Sequence, residues 1–308
     1  MKARISTEWL SGCSGCHVAI VDLHEKLLNL VDDIEFVRIP VLMDQRGYPR
    51  AEIGLVEGAI RSSHDRESLL KMRESVDKLV AFGTCAAYGG VSGLGWLYRD
   101  DAVLDKVYGG LPTTTETDRP QDAPVLEHSV IPIDEVVEVD MYLPGCPPHP
   151  YYIALAIKVL LHDGDSVMPA GTVCSQCNRK MVKRKGVTLK KGAVTALESD
   201  ICFLSQGVIC LGSVTLERCR SQCTNKGVSC AGCTGPAMAV VTEPHLDIRN
   251  LVAKRMSLLT DIDEDEIRAY MTKEAKTFYS YALSSRVIYG KPAVEIREWA
   301  GERRCSSV

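Results

Sequence analysis

Twelve of the thirteen cysteines fall into three sets of four. Cys13 and Cys16 form one CxxC, and Cys85 and Cys146 lie far along the chain in Gly-flanked turns, GTCAAYGG and LPGCPPHP. Four thiolates drawn to one place can hold an iron–sulfur cluster. The other eight, Cys174, Cys177, Cys202, Cys210, Cys219, Cys223, Cys230 and Cys233, crowd into a stretch too short and irregular to build a large hydrophobic core. That stretch is expected to fold around its metals. Eight thiolates suit two four-iron clusters, and two Cys₄ zinc sites have similar local spacing, because CxxC pairs are common to both. The compact ferredoxin run CxxCxxCxxxCP is absent from this stretch, so its spacing leaves iron and zinc both open.

Compartment decides between metal and disulfide. The start, MKARISTEWLSGCSGC, lacks the basic segment, long apolar run and small-residue cleavage site of a secretory signal, so a cytoplasmic protein is expected. Clustered cysteines in a reducing compartment bind metals or act in catalysis, and an odd total argues against a complete disulfide set. The composition, 308 residues with 45% hydrophobic and 25% charged, is that of an ordinary soluble protein of one large or two modest domains. A formal charge of −4 and only 6% aromatic residues predict no nucleic-acid partner. No apolar stretch reaches the ~18 residues of a membrane span. The glycine-rich GGVSGLG lacks the placement and downstream acid of a nucleotide fingerprint, so no bound flavin or nicotinamide is expected.

The first half must position the first set. Short β-rich runs, ARISTEWL, IEFVRIPVL, EIGLVEGAI and KLVAFGTC, alternate with helical stretches over about Cys16 to Leu30 and Arg66 to Val76. A strand near Val139 to Leu143 and a helix from about Pro148 to Leu161 follow, with Pro148 and Pro150 suited to a first turn. This βαβ pattern predicts an α/β fold, an open, doubly wound parallel sheet in flavodoxin-like order. Ligands of such sheets collect beyond the carboxyl ends of the strands, where Cys13, Cys16, Cys85 and Cys146 all fall. Cys16 lies close to a helix start, whose free N–H groups favour thiolates. Gly12, Gly15, Gly83 and Gly145 would let the backbone approach a cluster, and its N–H groups bond to cluster sulfur. His17 and His149, each beside a cluster cysteine, either hydrogen-bond to sulfur or serve packing.

WLSGCSGCHVAIVDLHEKLL, VEGAIR, AFGTCAAYGG and LPGCPPHP, in that order, resemble the small subunit of nickel–iron hydrogenases. The likeness runs over about residues 5 to 240. It is greatest to the small (gamma) subunit of the cytoplasmic F420-non-reducing, or methyl-viologen-reducing, group associated with heterodisulfide reductase. The resemblance implies three [4Fe–4S] clusters: a proximal one on Cys13, Cys16, Cys85 and Cys146, a distal one on Cys174, Cys177, Cys202 and Cys210, and a medial one on Cys219, Cys223, Cys230 and Cys233. It implies a partner large subunit that carries the nickel–iron centre, and a small iron–sulfur adaptor subunit of a heterodisulfide reductase-type complex as acceptor, within an electron-bifurcating assembly. Cys174 stands where periplasmic members use histidine, which should lower the distal potential. Cys223 supplies a fourth medial cysteine where those relatives have three. Glu57, in VEGAIR, carries protons or orders the proximal loop by the same analogy; the alternative is a structural carboxylate bonding nearby backbone N–H groups.

The expected organisation is a flavodoxin-like domain over 1–165, a two-cluster domain over 166–240 and a helical C-terminal extension over 241–308. Asp263 to Asp265 mark a helix start in that extension. Cys305 stands alone and reads as a free tail thiol. The other readings are a structural zinc protein, the small subunit of an F420-reducing or NADP-reducing hydrogenase, and a relative of the complex I subunit that holds a terminal cluster. The last carries a tandem cysteine pair, which is absent here.

Overall fold

The computed structural model describes residues 2–98, 100–113, 115–161, 168–192, 197–243 and 245–285. Cys305 and the end of the expected C-terminal extension lie outside the described residues. The described chain forms strands β1 (Ala3–Trp9), β2 (Ile34–Arg38), β3 (Ala51–Glu57), β4 (Ile60–Ser62), β5 (Val76–Phe82), β6 (Leu126–Ile131) and β7 (Met141–Leu143). Five of them make a parallel sheet in the order β2-β1-β3-β5-β7, the 2-1-3-4-5 order of flavodoxin-like folds.

Helices cover both faces, as a parallel sheet requires. They are α1 (Gly15–Val21), α2 (Glu25–Leu30), α3 (Ser63–Ser75), α4 (Thr84–Tyr88), α5 (Asp100–Tyr108) and α6 (Pro150–Leu161), then α7 (Gln222–Asn225), α8 (Met238–Thr242), α9 (Ile248–Leu259), α10 (Glu264–Lys273) and α11 (Ala275–Phe278). Side chains alternate across a strand, and β5 shows the result. Val80 and Phe82 pack with Ile20 and Leu23 of the α1–α2 layer and Ile153 and Ile157 of α6. Leu79 and Ala81 face the other way, into a core that takes in Leu69 and Met72 of α3, Phe203 and Leu211 of the cysteine-rich region, and Val252 and Met256 of α9. The cysteine-rich loops therefore share one apolar core with the sheet. Arg218 ties them to the sheet edge, its Nη1 donating to Tyr142 O at 2.6 Å and its Nε to Pro169 O at 3.1 Å.

Local chemistry sets the boundaries. Helix α3 starts at Ser62, whose hydroxyl accepts from Asp65 N while the Asp65 carboxylate accepts from Ser62 N, a capping box. Asp263 caps α10 by accepting from Asp265 N and Glu266 N. The stretch from Cys16 to Leu30, expected as one helix, is two, because the chain turns at Asp22–His24 and His24 adopts φ 50°. The IEFVRIPVL run stops at Arg38, before Pro40, which has no N–H for a ladder. The EIGLVEGAI run, expected as one strand, breaks at Gly58, and Ile60 at its end begins β4, which pairs antiparallel with β6.

Candidate metal centres

The thiols of the first set arise where three parallel strands end. After β1 the chain runs through Cys13, and Ser14 at φ 60° turns it into α1, so Cys16 lies in the first turn. Cys85 lies in the first turn of α4, directly after β5, and Cys146 follows β7. Burial, then the Glu57 carboxylate, then Cys85, Cys146 and Cys13 push the Cys16 thiol far up. Burial, then Cys85 and Cys13, push Cys146 up to about 11. These four sulfur groups are thus close enough to act on one another. Gly83 and Gly90 make the room. A Cβ on Gly83, at φ +90°, would fall on Cys16 Sγ, and one on Gly90, at φ +54°, would lie 2.6 Å from Cys85 Sγ. Ser92 sits with its hydroxyl 3.9 Å from Cys85 Sγ.

Behind Cys16 lies a buried polar chain. Glu57 Oε2 accepts from the backbone N of His17 at 2.7 Å and from its Nδ1 at 2.8 Å. The ring's Nε2 is 2.8 Å from Thr7 Oγ1. Glu57 accepts both bonds, so Nδ1 carries a proton and the imidazole is locked in orientation. Thr7, His17 and Glu57 are all buried. Glu57 therefore acts here as a carboxylate that bonds a nearby backbone N–H and orders the CxxC turn. His149 is placed differently, its Nδ1 accepting from Tyr151 N at 3.1 Å and its Nε2 lying 2.9 Å from Gln222 Nε2.

The eight later cysteines meet in two groups. Burial, then Cys210, Cys202 and Cys177, push Cys174 up to about 12, with Arg255 opposing. Burial, then Cys219, Cys223 and Cys146, push Cys233 up to about 12. Cys230 also reaches about 12, through burial first, while the Gly232 N–H and the Thr215 hydroxyl near its sulfur oppose the shift and Cys233 and Cys219 add to it. Cys219 is raised by burial against N–H donors from Ser221 and Gln222, with Cys223 adding to it. Arg220 and Ser221 turn through φ 57° and 51° to bring Cys219 and Cys223 to one side.

The groups touch at two joints. Cys146 acts on Cys233, and the Cys230 N–H donates to Cys210 Sγ at 3.3 Å. Thr84, one residue before Cys85, reinforces the first joint: its hydroxyl accepts from Gly145 N at 2.8 Å and donates to Cys233 O at 2.6 Å. Tyr281 lies there too, its hydroxyl pushed up by burial, then by Cys146 and Cys233. Thr84, Ser92 and Tyr281 carry no sequence signal beyond the neighbourhood of Thr84 and Ser92 to Cys85, and they escaped the sequence reading.

Partly exposed thiols gathered in groups, an N–H aimed at the Cys210 sulfur, and glycines where a Cβ would collide with sulfur fit thiolate-held iron–sulfur groups. Among the described residues no group of three or more His, Cys, Asp or Glu side chains is tight enough to hold a single metal ion.

Known proteins give this geometry its place. The family described as NADH ubiquinone oxidoreductase, 20 Kd subunit, matches residues 13–160, the segment with the first cysteine set. An F420-non-reducing hydrogenase subunit from Methanothermobacter marburgensis is 33% identical over 298 residues, 93% of this chain and 96% of that one. The chain belongs to the nickel–iron hydrogenase small-subunit family. The F420-non-reducing hydrogenase vhu subunit from Methanocaldococcus jannaschii is 40% identical over 250 residues, 80% of this chain and 85% of its own. A solved NAD⁺-reducing [NiFe]-hydrogenase chain, 33% identical, superposes with a TM-score of 0.52 over 55% of this chain and 96% of its own. As a hydrogenase small subunit, the chain is an oxidoreductase component, and its family implies iron–sulfur clusters and a large-subunit partner. Among the described residues no helix is long and apolar enough to cross a membrane.

Proposed function

We propose that this small subunit is the electron wire of a cytoplasmic F420-non-reducing hydrogenase, with three [4Fe–4S] sites. The proximal site would be held by Cys13, Cys16, Cys85 and Cys146, the medial by Cys219, Cys223, Cys230 and Cys233, and the distal by Cys174, Cys177, Cys202 and Cys210. When bound, these clusters supply one-electron carriers. The observation that carries the reading is the row of three cysteine groups, the first tied to the second by Thr84, which bonds Gly145 N and Cys233 O, and the second to the third by the Cys230 N–H on Cys210 Sγ. A row of this kind suits electrons that enter from hydrogen oxidised on the large subunit at the proximal end and leave at the distal end. The chain's own residues partly cover the sites and aim an N–H donor at the Cys210 sulfur, two levers that set potential. The acceptor we assign is a small iron–sulfur adaptor subunit of a heterodisulfide reductase-type complex, which the likeness to F420-non-reducing relatives favours.

Metal analysis of anaerobically purified protein tests the reading. About twelve iron and as many sulfides per chain, without nickel, are expected. Two or three zinc without iron would leave a structural zinc protein instead. Cys85→Ser or Cys146→Ser should abolish hydrogen-dependent dye reduction by the assembled hydrogenase, and Cys305→Ser should preserve it; retained activity in the first pair would remove the proximal assignment.

A further inference from the structure

Between Cys177 and Cys202 the chain runs NRKMVKRKGVTLKK, residues 178–191, with seven lysines and arginines and no acid, in a protein whose net charge is −4. A charge run is ordinarily a solvated face, but this one is built onto the distal site. Cys202 N donates to Lys180 O at 2.8 Å, and Lys180 N to Asp200 O at 2.7 Å, so Lys180 is laced to the strand of chain that carries Cys202. Its backbone is held along its length: Val182 N by Ser205 Oγ, Arg184 N by Leu259 O, Gly186 N by Asp261 Oδ2 and Lys190 N by Gly207 O. Arg179 turns inward, donating to Thr224 O and Ile201 O and lying 4.0 Å above the Phe203 ring. The segment is therefore a fixed template.

What it presents outward is cationic around an apolar centre. Lys180, Arg184 and Lys191 reach Asp200, Glu198 and Glu266, pairs exposed enough to be weak. Lys183, Lys185 and Lys190 form no ion pair among the described residues. Met181 is 71% exposed in the middle of the run, and Val182 beside it is exposed as well. A charged rim around an exposed apolar centre is the make-up of a transient protein interface, in which charge steers encounter and the apolar centre seats it.

We infer that residues 180–190 are the docking surface for the electron acceptor, a protein whose iron–sulfur centre lies behind an acidic face. This rests on the electron-wire reading above. Each productive encounter moves one electron from the distal site to the acceptor's oxidised iron–sulfur centre, which is reduced by one, and no proton or bond is exchanged. The place follows from the row of sites: the distal group joins the row through the medial one at Cys230–Cys210, and this segment flanks two of its four thiols.

The test uses the hydrogenase assembled from its large and small subunits without the adaptor, with an acidic bacterial ferredoxin standing in for the acidic iron–sulfur acceptor, or with dicationic methyl viologen, under hydrogen and with salt varied. For the native enzyme, kcat/KM for ferredoxin should fall steeply as salt rises. In the triple variant Lys183→Glu, Lys185→Glu, Lys190→Glu it should fall at least about tenfold at low salt and lose that salt dependence, with no loss of viologen reduction. The triple arginine variant should behave as native. Ferredoxin reduction that ignores both salt and charge reversal overturns the docking surface while viologen activity upholds the wire. Equal loss with both acceptors also overturns it, because the substitutions then act inside the chain. Tight binding of duplex DNA that only the glutamate variant loses, with ferredoxin reduction untouched, would reassign the surface. If neither form reduces viologen and the chain lacks iron, the electron-wire reading itself fails.

Discussion

The Thr84 hydroxyl donates to the carbonyl oxygen of Cys233 at 2.6 Å, across 149 residues of sequence, while accepting from Gly145 N at 2.8 Å. One buried side chain thus fastens the turns before Cys85 and Cys146 to the loop that carries Cys233. Valine has nearly the same shape but no hydroxyl, so Thr84→Val leaves a buried donor and a buried acceptor unpaired, at about 1–3 kcal/mol each. Thr84→Ser keeps both bonds and should stay within about 1 kcal/mol of native. Denaturant unfolding of the cluster-loaded chain checks this. In electron paramagnetic resonance of the reduced protein, the magnetic interaction between neighbouring centres should weaken in the valine variant only.

Glu57 serves two donors of His17 with one oxygen. Glu57→Ala strips both of their acceptor, so the CxxC turn loses its anchor, and on the proposed three-cluster reading iron content should fall by about four atoms per chain. Glu57→Gln retains an acceptor oxygen and should hold most of that iron. Equal iron in the alanine and native proteins would show that the pairing does not order the site.

Gly83 is constrained twice, by φ +90° and by the Cys16 sulfur where its Cβ would stand. Gly83→Ala should therefore displace Cys16 and remove the proximal signal from the reduced-state spectrum, with the two other centres retained. Gly186, also at positive φ but with nothing within 4 Å of its Cβ position, is the control, and Gly186→Ala should cost only the backbone strain, about 1–2 kcal/mol.

Away from the thiols, the Arg66 guanidinium bonds both oxygens of Glu127 at 2.8 and 3.1 Å, joining α3 to β6 and holding the Glu127 carboxyl below its ordinary value. The native state then binds fewer protons here than the unfolded chain. The contribution is present above the ordinary glutamate pKa and is lost as pH falls through the lowered one. For this partly exposed pair Glu127→Gln should cost about 0.5–1 kcal/mol at pH 7 and nothing once acid has protonated the carboxyl in the folded as well as the unfolded chain. Urea unfolding of the two proteins across that range measures the difference.

Much of this architecture was legible beforehand. The alternation of β-rich and helical runs announced the parallel sheet, because burial on both faces imposes apolar strands and period-2 packing on the sequence itself. Where the reading slipped, at His24 and at Gly58, a single backbone conformation overrode a continuous apolar pattern. β6 was missed because LEHSVI mixes charge with apolar residues and pairs only at an edge.

The sequence by itself determined the supply of thiols, their placement after strands and at turns, and the sheet that carries the first four, because local spacing and periodicity are properties of neighbours in the chain. Tertiary structure alone decided what those groups meet. That Thr84 reaches Cys233, that Glu57 lies behind His17, and that Cys146 and Cys230 stand at the joints between groups are facts of distance between residues dozens of positions apart. Chain order does not encode such distances until the shared apolar core folds the cysteine-rich loops onto the sheet.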